Sequence, residues 1–153
     1  MIHVIKGDLL ESDCKVIMHQ ANCYAKMGAG IARSIANKYP EAYEADKNFP
    51  DPLGLDRLGK FSYSVSSNGV VVFNLYGQNG YGRGTRTEYL HLGHALEDAI
   101  NKVVQNSISR SMIKIGLPYG IGCGLAGGDW NLVMDLLLKV SNDTGVDLYL
   151  YKL

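Results

Sequence analysis

Apolar and polar positions change period several times along this chain, and each change marks an element. Ile2 to Ile5 reads as a short strand, Gly7-Asp8 and Glu11 to Asp13 break the chain around a Leu9-Leu10 turn, and Val16 to Ala21 reads as a second strand. From Gly30 the spacing becomes helical, with Ile31, Ala32, Ile35, Ala36 and Tyr39 on one face, and it stops at Pro40. Pro40 to Gly59 carries three prolines and alternating charge, so it reads as irregular surface chain with one turn of helix around Glu41 to Asp46. Phe61, Tyr63 and Val65 then alternate with Ser62, Ser64 and Ser66. Asn68-Gly69 supplies a tight hairpin, and Val70 to Tyr76 is a continuous apolar run, the mark of a strand buried on both faces.

In the second half, Thr85-x-x-Glu88 reads as a capping box ahead of a helix whose face is Tyr89, Leu92, Leu96, Ala99, Ile100 and Val103. Met112 to Leu117 is the next expected strand, and Pro118 to Gly128 a glycine-rich loop. Leu132, Val133, Leu136, Leu137 and Val140 mark a helix that starts near Asp129 and ends at Gly145, followed by a strand over Val146 to Tyr151. Strands and helices alternate except at the one hairpin. The expected fold is α/β, a three-layer α/β/α sandwich around a mixed sheet of about six strands, formed by residues 1–153 as a single domain.

Composition narrows the chemistry. With 153 residues and 46% apolar content the chain can bury one substantial core. Lys plus Arg equals Asp plus Glu at 15 each, so no general field draws it to nucleic acid or anionic lipid, and any bound anion must be held by local geometry. The expectations are no membrane partner and a cytoplasmic location, since no apolar run approaches the ~18 residues of a membrane span and Met1 starts directly on a strand without a leader pattern. Cys14, Cys23 and Cys123 are odd in number and lack C-x-x-C spacing, which argues against a disulfide framework and a zinc site; no metal and no cofactor are expected.

Eighteen glycines concentrate in two loops and around Gly77 to Gly84. Met27-Gly28-Ala29-Gly30 and Gly120-Ile121-Gly122-Cys123-Gly124, the latter followed by Gly127-Gly128, each lie between an expected strand and an expected helix. Loops without side chains let backbone N–H groups close on phosphate oxygens, and the positive end of the following helix favours negative charge. In such sheets ligands bind beyond the carboxyl ends of the strands, so both loops are expected in one cleft around an extended dianion such as a nucleotide diphosphate.

The order Lys6-Gly7-Asp8-Leu9, then His19-Gln20-Ala21-Asn22 with Met27-Gly28-Ala29-Gly30-Ile31-Ala32, then Gly120 to Gly124, resembles a macro domain over essentially the whole chain. Within that family it is similar to the branch that holds the terminal ADP-ribose glycohydrolase and the yeast-type ADP-ribose-1″-phosphate phosphatase. The resemblance implies ADP-ribose or an ADP-ribosyl derivative as partner, with an ADP-ribosylated macromolecule as a further one. Asp8 would accept from the adenine N6 amino group, with Gly7 and Leu9 beside it; its plain alternative is a turn aspartate. Gly28, Ala29, Gly30 and Ile31, with Met27 before them, would hold the diphosphate and distal ribose, and Gly120, Ile121, Gly122, Cys123, Gly124 and Leu125 would close from the other side. A side chain at Gly28 or Gly124 is expected to clash or to force an unsuitable backbone angle. Asn22, after Ala21, would meet the distal ribose hydroxyls or else brace its own loop. Tyr151 would stack on adenine, with Tyr149 as the rival and core packing as the alternative for either.

Catalysis is expected as metal-independent hydrolysis, foremost removal of the 1″-phosphate, with His19 and Asp129 as the catalytic residues. His19 as a core residue and Asp129 as a helix cap are the competing roles. The lysine and aspartate associated with the terminal glycohydrolase correspond here to Gln78 and Ala126, which can do neither Schiff-base nor acid–base chemistry. Cys123 lacks the Cys-x5-Arg phosphate loop of a thiol phosphatase and is expected to pack as a small apolar group. The run Tyr76 to Arg86 carries aromatics and only two arginines, Arg83 and Arg86, a poor nucleic-acid footprint in a neutral protein. The open alternatives are a non-catalytic ADP-ribose reader, an ADP-ribosyl hydrolase and an O-acetyl-ADP-ribose deacetylase.

Overall fold

Residues 1–80, 86–107, 113–124 and 126–153 are described by a computed structural model of the chain. The strand-like stretches form β1 (Ile2–Lys6), β2 (Val16–Asn22), β3 (Phe61–Val65), β4 (Val71–Gln78), β5 (Ile115–Pro118) and β6 (Leu148–Lys152). One sheet results, in the order β1-β6-β5-β2-β4-β3. Only β3 runs antiparallel, against β4, because the five-residue connection 66–70 is too short for a crossover. In that connection the Gly69 N–H donates to the Ser66 carbonyl and Gly69 takes a φ of 84°, so Asn68-Gly69 closes the hairpin.

The helices α1 (Gly30–Lys38) and α2 (Pro40–Lys47) cover one face of the sheet; α3 (Tyr89–Gln105) and α4 (Trp130–Thr144) cover the other. Ile35, Tyr39 and Ala42 pack on Ile17 and Val72, while Leu92, Leu96, Ile100, Val133 and Leu137 pack on Met18, Leu75, Ile115 and Leu117. The architecture is the three-layer α/β/α sandwich with a mixed six-stranded sheet that the alternation implied. Successive residues of β2 point to opposite layers, so Ile17 and Met18 feed different cores, and so do His19 and Gln20.

Three elements differ from expectation. Residues 40–47 form two full turns of helix: Pro40 occupies the first helical position, where its missing N–H has no intrahelical partner to lose. On the hairpin, Ser62, Ser64 and Ser66 are the buried side while Tyr63 and Val65 are exposed. The serines face inward because Ser62 Oγ joins Tyr76 Oη at 2.8 Å and Asn74 Nδ2 at 3.0 Å in a buried polar chain that ends on Asp46 and Arg57. Finally, α3 begins at Tyr89 with Glu88 at the N-cap and no side-chain cap bond, so the capping-box register is wrong; Thr85 itself lies outside the described residues, as does Met112. By contrast α4 starts and stops as its sequence predicts, capped by Asp129 and closed by Gly145 in the left-handed conformation. Among the described residues no helix is long and apolar enough to cross a membrane.

Candidate functional site

β2 and β5 are neighbours, yet the chain leaves β2 into α1 on one face and leaves β5 toward α4 on the other. A crevice opens where adjacent strands part company in this way. Both glycine loops project there, and between them lies a cleft of ≈ 520 Å³. Its walls are Gln20, Ala21, Asn22, Lys26 and 28–32 on the β2 side, Pro118, Tyr119, Gly120, Ile121, Gly122, Gly124 and Ala126 on the β5 side, and Gln78 at the end of β4. Among these described residues Lys26 is the one that carries a charge, and none supplies a carboxylate or an imidazole.

The first loop presents bare backbone. The N–H groups of Gly28 and Ala29 find no acceptor among the described residues, and α1 begins at Gly30 without a side-chain cap, so its first-turn donors lack intrahelical partners as well. Such a row of donors at the positive end of a helix is suited to an anion. A Cβ built at Gly28 meets nothing within 4 Å, and Gly28 does not take a positive φ. The clash expected there is therefore corrected: nothing in the protein itself demands glycine at 28, nor at 124, where a Cβ also meets nothing. The space is open toward the cleft.

The second loop is held by its own bonds. The N–H groups of Ile121, Cys123, Gly127 and Gly128 donate to the carbonyls of Pro118, Gly120, Gly124 and Gly122. Thr87 Oγ1 donates to the Gly122 carbonyl at 2.6 Å and accepts from Gln20 Nε2 at 3.0 Å, so the floor of β2 and the approach to α3 grip the same turn. A Cβ at Gly128 would stand 2.5 Å from the Gly122 carbonyl oxygen.

The sequence-predicted residues divide accordingly. Ala21, Asn22, Gly28, Ala29, Gly30, Ile31, Gly120, Ile121, Gly122 and Gly124 meet at the cleft. Gly7, Asp8, Leu9, Met27, Cys123, Tyr151, His19 and Asp129 do not line it, and Leu125 lies outside the described residues. Asp8 is exposed at the end of β1, where its Oδ1 accepts from the Leu10 N–H at 2.9 Å and starts a 3-10 turn. Leu9 and Met27 are core residues. Tyr151 is buried in the same core with its hydroxyl beside Cys14 Sγ at 3.5 Å, which removes its ring from the cleft; Tyr149 stacks on His3. His19 is fully buried, its Nε2 2.6 Å from Asn74 Oδ1, and burial pushes its pKa down to about 4, so it is a neutral core imidazole. Asp129 is exposed and caps α4 by accepting from the Asn131 N–H at 2.9 Å. Burial, aided by the Asp129 carboxylate, raises the Cys123 thiol, the opposite of an activated nucleophile.

Sequence reasoning missed Lys26, Gln20 and Tyr119. Tyr119 carries the one aromatic side chain among the described lining residues, and its ring is packed by Trp130 at 4.8 Å with the Lys152 ammonium 4.7 Å above it. Its position directly before Gly120 was the available signal. Among the described residues no cluster of three or more His, Cys, Asp or Glu could hold a metal ion.

No family model matches the chain. It is 31% identical over 144 residues, covering 90% of this chain and 88% of the other, to the uncharacterized 17.5 kDa protein of the tk-vs intergenic region of phage T4. It is 33% identical over 92 residues to the ADP-ribose 1″-phosphate phosphatase of Candida glabrata, a stretch that spans 55% of this chain and 51% of that one. Among solved structures, a Bacteroides thetaiotaomicron protein of unknown function superposes with a TM-score of 0.84 at 24% identity, over 100% and 98% of the two chains. The macrodomain of Mycobacterium tuberculosis DarG gives 0.77 at 22% identity, over 100% and 98%. Thermosipho africanus DarTG in complex with ADP-ribose gives 0.73 at 17%, over 97% of this chain and 41% of that one. By sequence the chain belongs to one family with the phage T4 protein, and by fold it is a macrodomain.

Proposed function

We propose that this macrodomain binds ADP-ribose, or an ADP-ribosyl group carried by another molecule, in the cleft between the two glycine loops. The observation that carries this reading is the row of donors from Gly28 and Ala29 into the start of α1, unpartnered among the described residues and facing the second loop across a cleft whose described lining holds Lys26 and no carboxylate. A pyrophosphate satisfies those donors and meets no repelling charge among the described lining residues. In this reading Gly28 to Ile31 and Gly120 to Gly124 enclose the diphosphate and distal ribose. The Asp8 carboxylate oxygen left over from its cap accepts from adenine, and Tyr119, in place of Tyr151, offers the aromatic ring. Isothermal calorimetry with ADP-ribose is the test: saturable binding is expected, and no heat at millimolar ligand overturns the reading.

Hydrolysis of ADP-ribose-1″-phosphate is a second reading, favoured by the identity to the Candida glabrata phosphatase. Gln78 and Ala126 at the cleft supply no acid or base, the burial of His19 and the cap bond of Asp129 weigh against that pair, and backbone dipoles with Lys26 remain to stabilise a phosphoryl group. Incubation with ADP-ribose-1″-phosphate, an O-acetyl-ADP-ribose and an ADP-ribosylated peptide, followed by mass spectrometry, separates a reader from each hydrolase. Turnover that disappears in both His19→Gln and Asp129→Asn would restore the sequence-derived pair.

A further inference from the structure

Lys26 stands at the end of a turn whose backbone is fixed from one side chain. Asn22 is buried and lines the cleft, and its Nδ2 donates to the Lys26 carbonyl at 2.8 Å. Its Oδ1 accepts from the Tyr24 N–H at 2.9 Å and from the Lys26 N–H at 3.4 Å. The residue before Lys26, Ala25, has a φ of 57°, the one left-handed non-glycine residue among those described. An L-residue holds that conformation only where its surroundings impose it. Of the two roles the sequence left open for Asn22, ribose contact or bracing of its own loop, these bonds are the bracing, and they hold the backbone of the one cationic residue among the described lining of the cleft.

We infer that Lys26 is the specificity-determining charge of this cleft, selecting ligands that carry a pyrophosphate over uncharged nucleosides, and that Asn22 is a positioning residue acting through it. The inference rests on the cleft being the ligand site of the proposed function and adds the residue that ranks ligands by charge. Backbone donors alone bind an anion by dipoles fixed in number and place. An ammonium beside them adds a full charge, so affinity gains both a steep dependence on ligand charge and a dependence on salt.

The experiment is a calorimetric titration of the intact chain with ADP-ribose, inorganic pyrophosphate and adenosine at several salt concentrations. Lys26→Gln is expected to weaken ADP-ribose about tenfold, the size of one lost charge-assisted bond. The same variant should abolish pyrophosphate binding, leave adenosine unchanged and flatten the salt dependence, and Lys26→Arg should restore affinity. Lys26 is exposed, so its substitution leaves the fold intact, as circular dichroism will verify. Asn22→Ala should weaken ADP-ribose to a similar degree, with the double variant no weaker than either single. Unchanged affinity and salt dependence in Lys26→Gln overturn the specificity role. Additive losses in the double variant overturn the positioning role and return Asn22 to direct contact with ligand. Pyrophosphate keeps the two ideas apart: a wild type that binds it through Lys26 but ignores ADP-ribose refutes the proposed function and leaves the charge selection standing.

Discussion

In the first glycine loop a methyl group added at Gly28 would meet nothing within 4 Å, whereas in the second one added at Gly128 would stand 2.5 Å from the Gly122 carbonyl oxygen. The first loop leaves the N–H groups of Gly28 and Ala29 unpaired among the described residues and runs into an uncapped helix; the second pairs those of Ile121, Cys123, Gly127 and Gly128 within itself and runs into a helix capped by Asp129. Glycine thus serves two different ends in one cleft. At 28 it leaves the space toward the cleft open, and at 128 it permits protein to touch protein. The second loop is a built wall, and the first is, in the proposed function, the receptor.

The sharpest way to break this contrast is Gly128→Ala. Because the obstacle is backbone, the turn must move, and a loss of about 2–4 kcal/mol in urea denaturation is expected. An unchanged midpoint would mean that the second loop is as loose as the first. Acid comes next and reaches β2 through His19. The pKa of His19 in the folded chain, about 4, lies below its ordinary 6.5, so between these values the unfolded chain binds the extra proton. Stability should be complete above pH 6.5 and fall as pH drops toward 4, by up to about 3 kcal/mol. His19→Gln should flatten this dependence in thermal melts, and an unaltered profile would remove His19 as its source.

Gly28→Ala sharpens the contrast from the other side, with stability expected within about 0.5 kcal/mol of wild type and affinity for ADP-ribose lower by about tenfold or more. Intact affinity would show that the open space at 28 is not where ligand lies. Thr87→Val removes the hydroxyl that joins Gln20 to the Gly122 carbonyl, an expected cost of about 1 kcal/mol read by denaturation and accompanied by weaker binding. Ala25→Gly should have the smallest effect, a stability gain of about 0.5 kcal/mol as the left-handed penalty is relieved, offset in part by unfolded-chain entropy. A loss there would mean that the turn before Lys26 is not strained.

Much of the layer pattern was legible because local period and burial agree. The all-apolar run in β4, the helical spacing from Gly30 and the Asp129 and Gly145 ends of α4 each follow from the backbone's own bonding needs. Pro40 misled because proline ends one helix and begins another equally well, and only the chain on both sides decides. The candidate site was half legible. Glycines between strand and helix point to the cleft, but His19 and Gln20 are adjacent in one strand, and nothing local says that one faces a sealed core and the other the cleft.

By itself the sequence determined the periods of most elements and both ends of α4, since these depend on neighbours within a few residues. Which strand ends lie side by side, which face of β2 is sealed by α2, and which glycine is crowded depend on residues far apart in the chain, as with Thr87 and Gly122 or Asn74 and Ala42. Those contacts form only when the layers close, so tertiary structure decided between core and cleft for His19, set Asn22 against the backbone of Lys26 and brought Lys26 to the cleft.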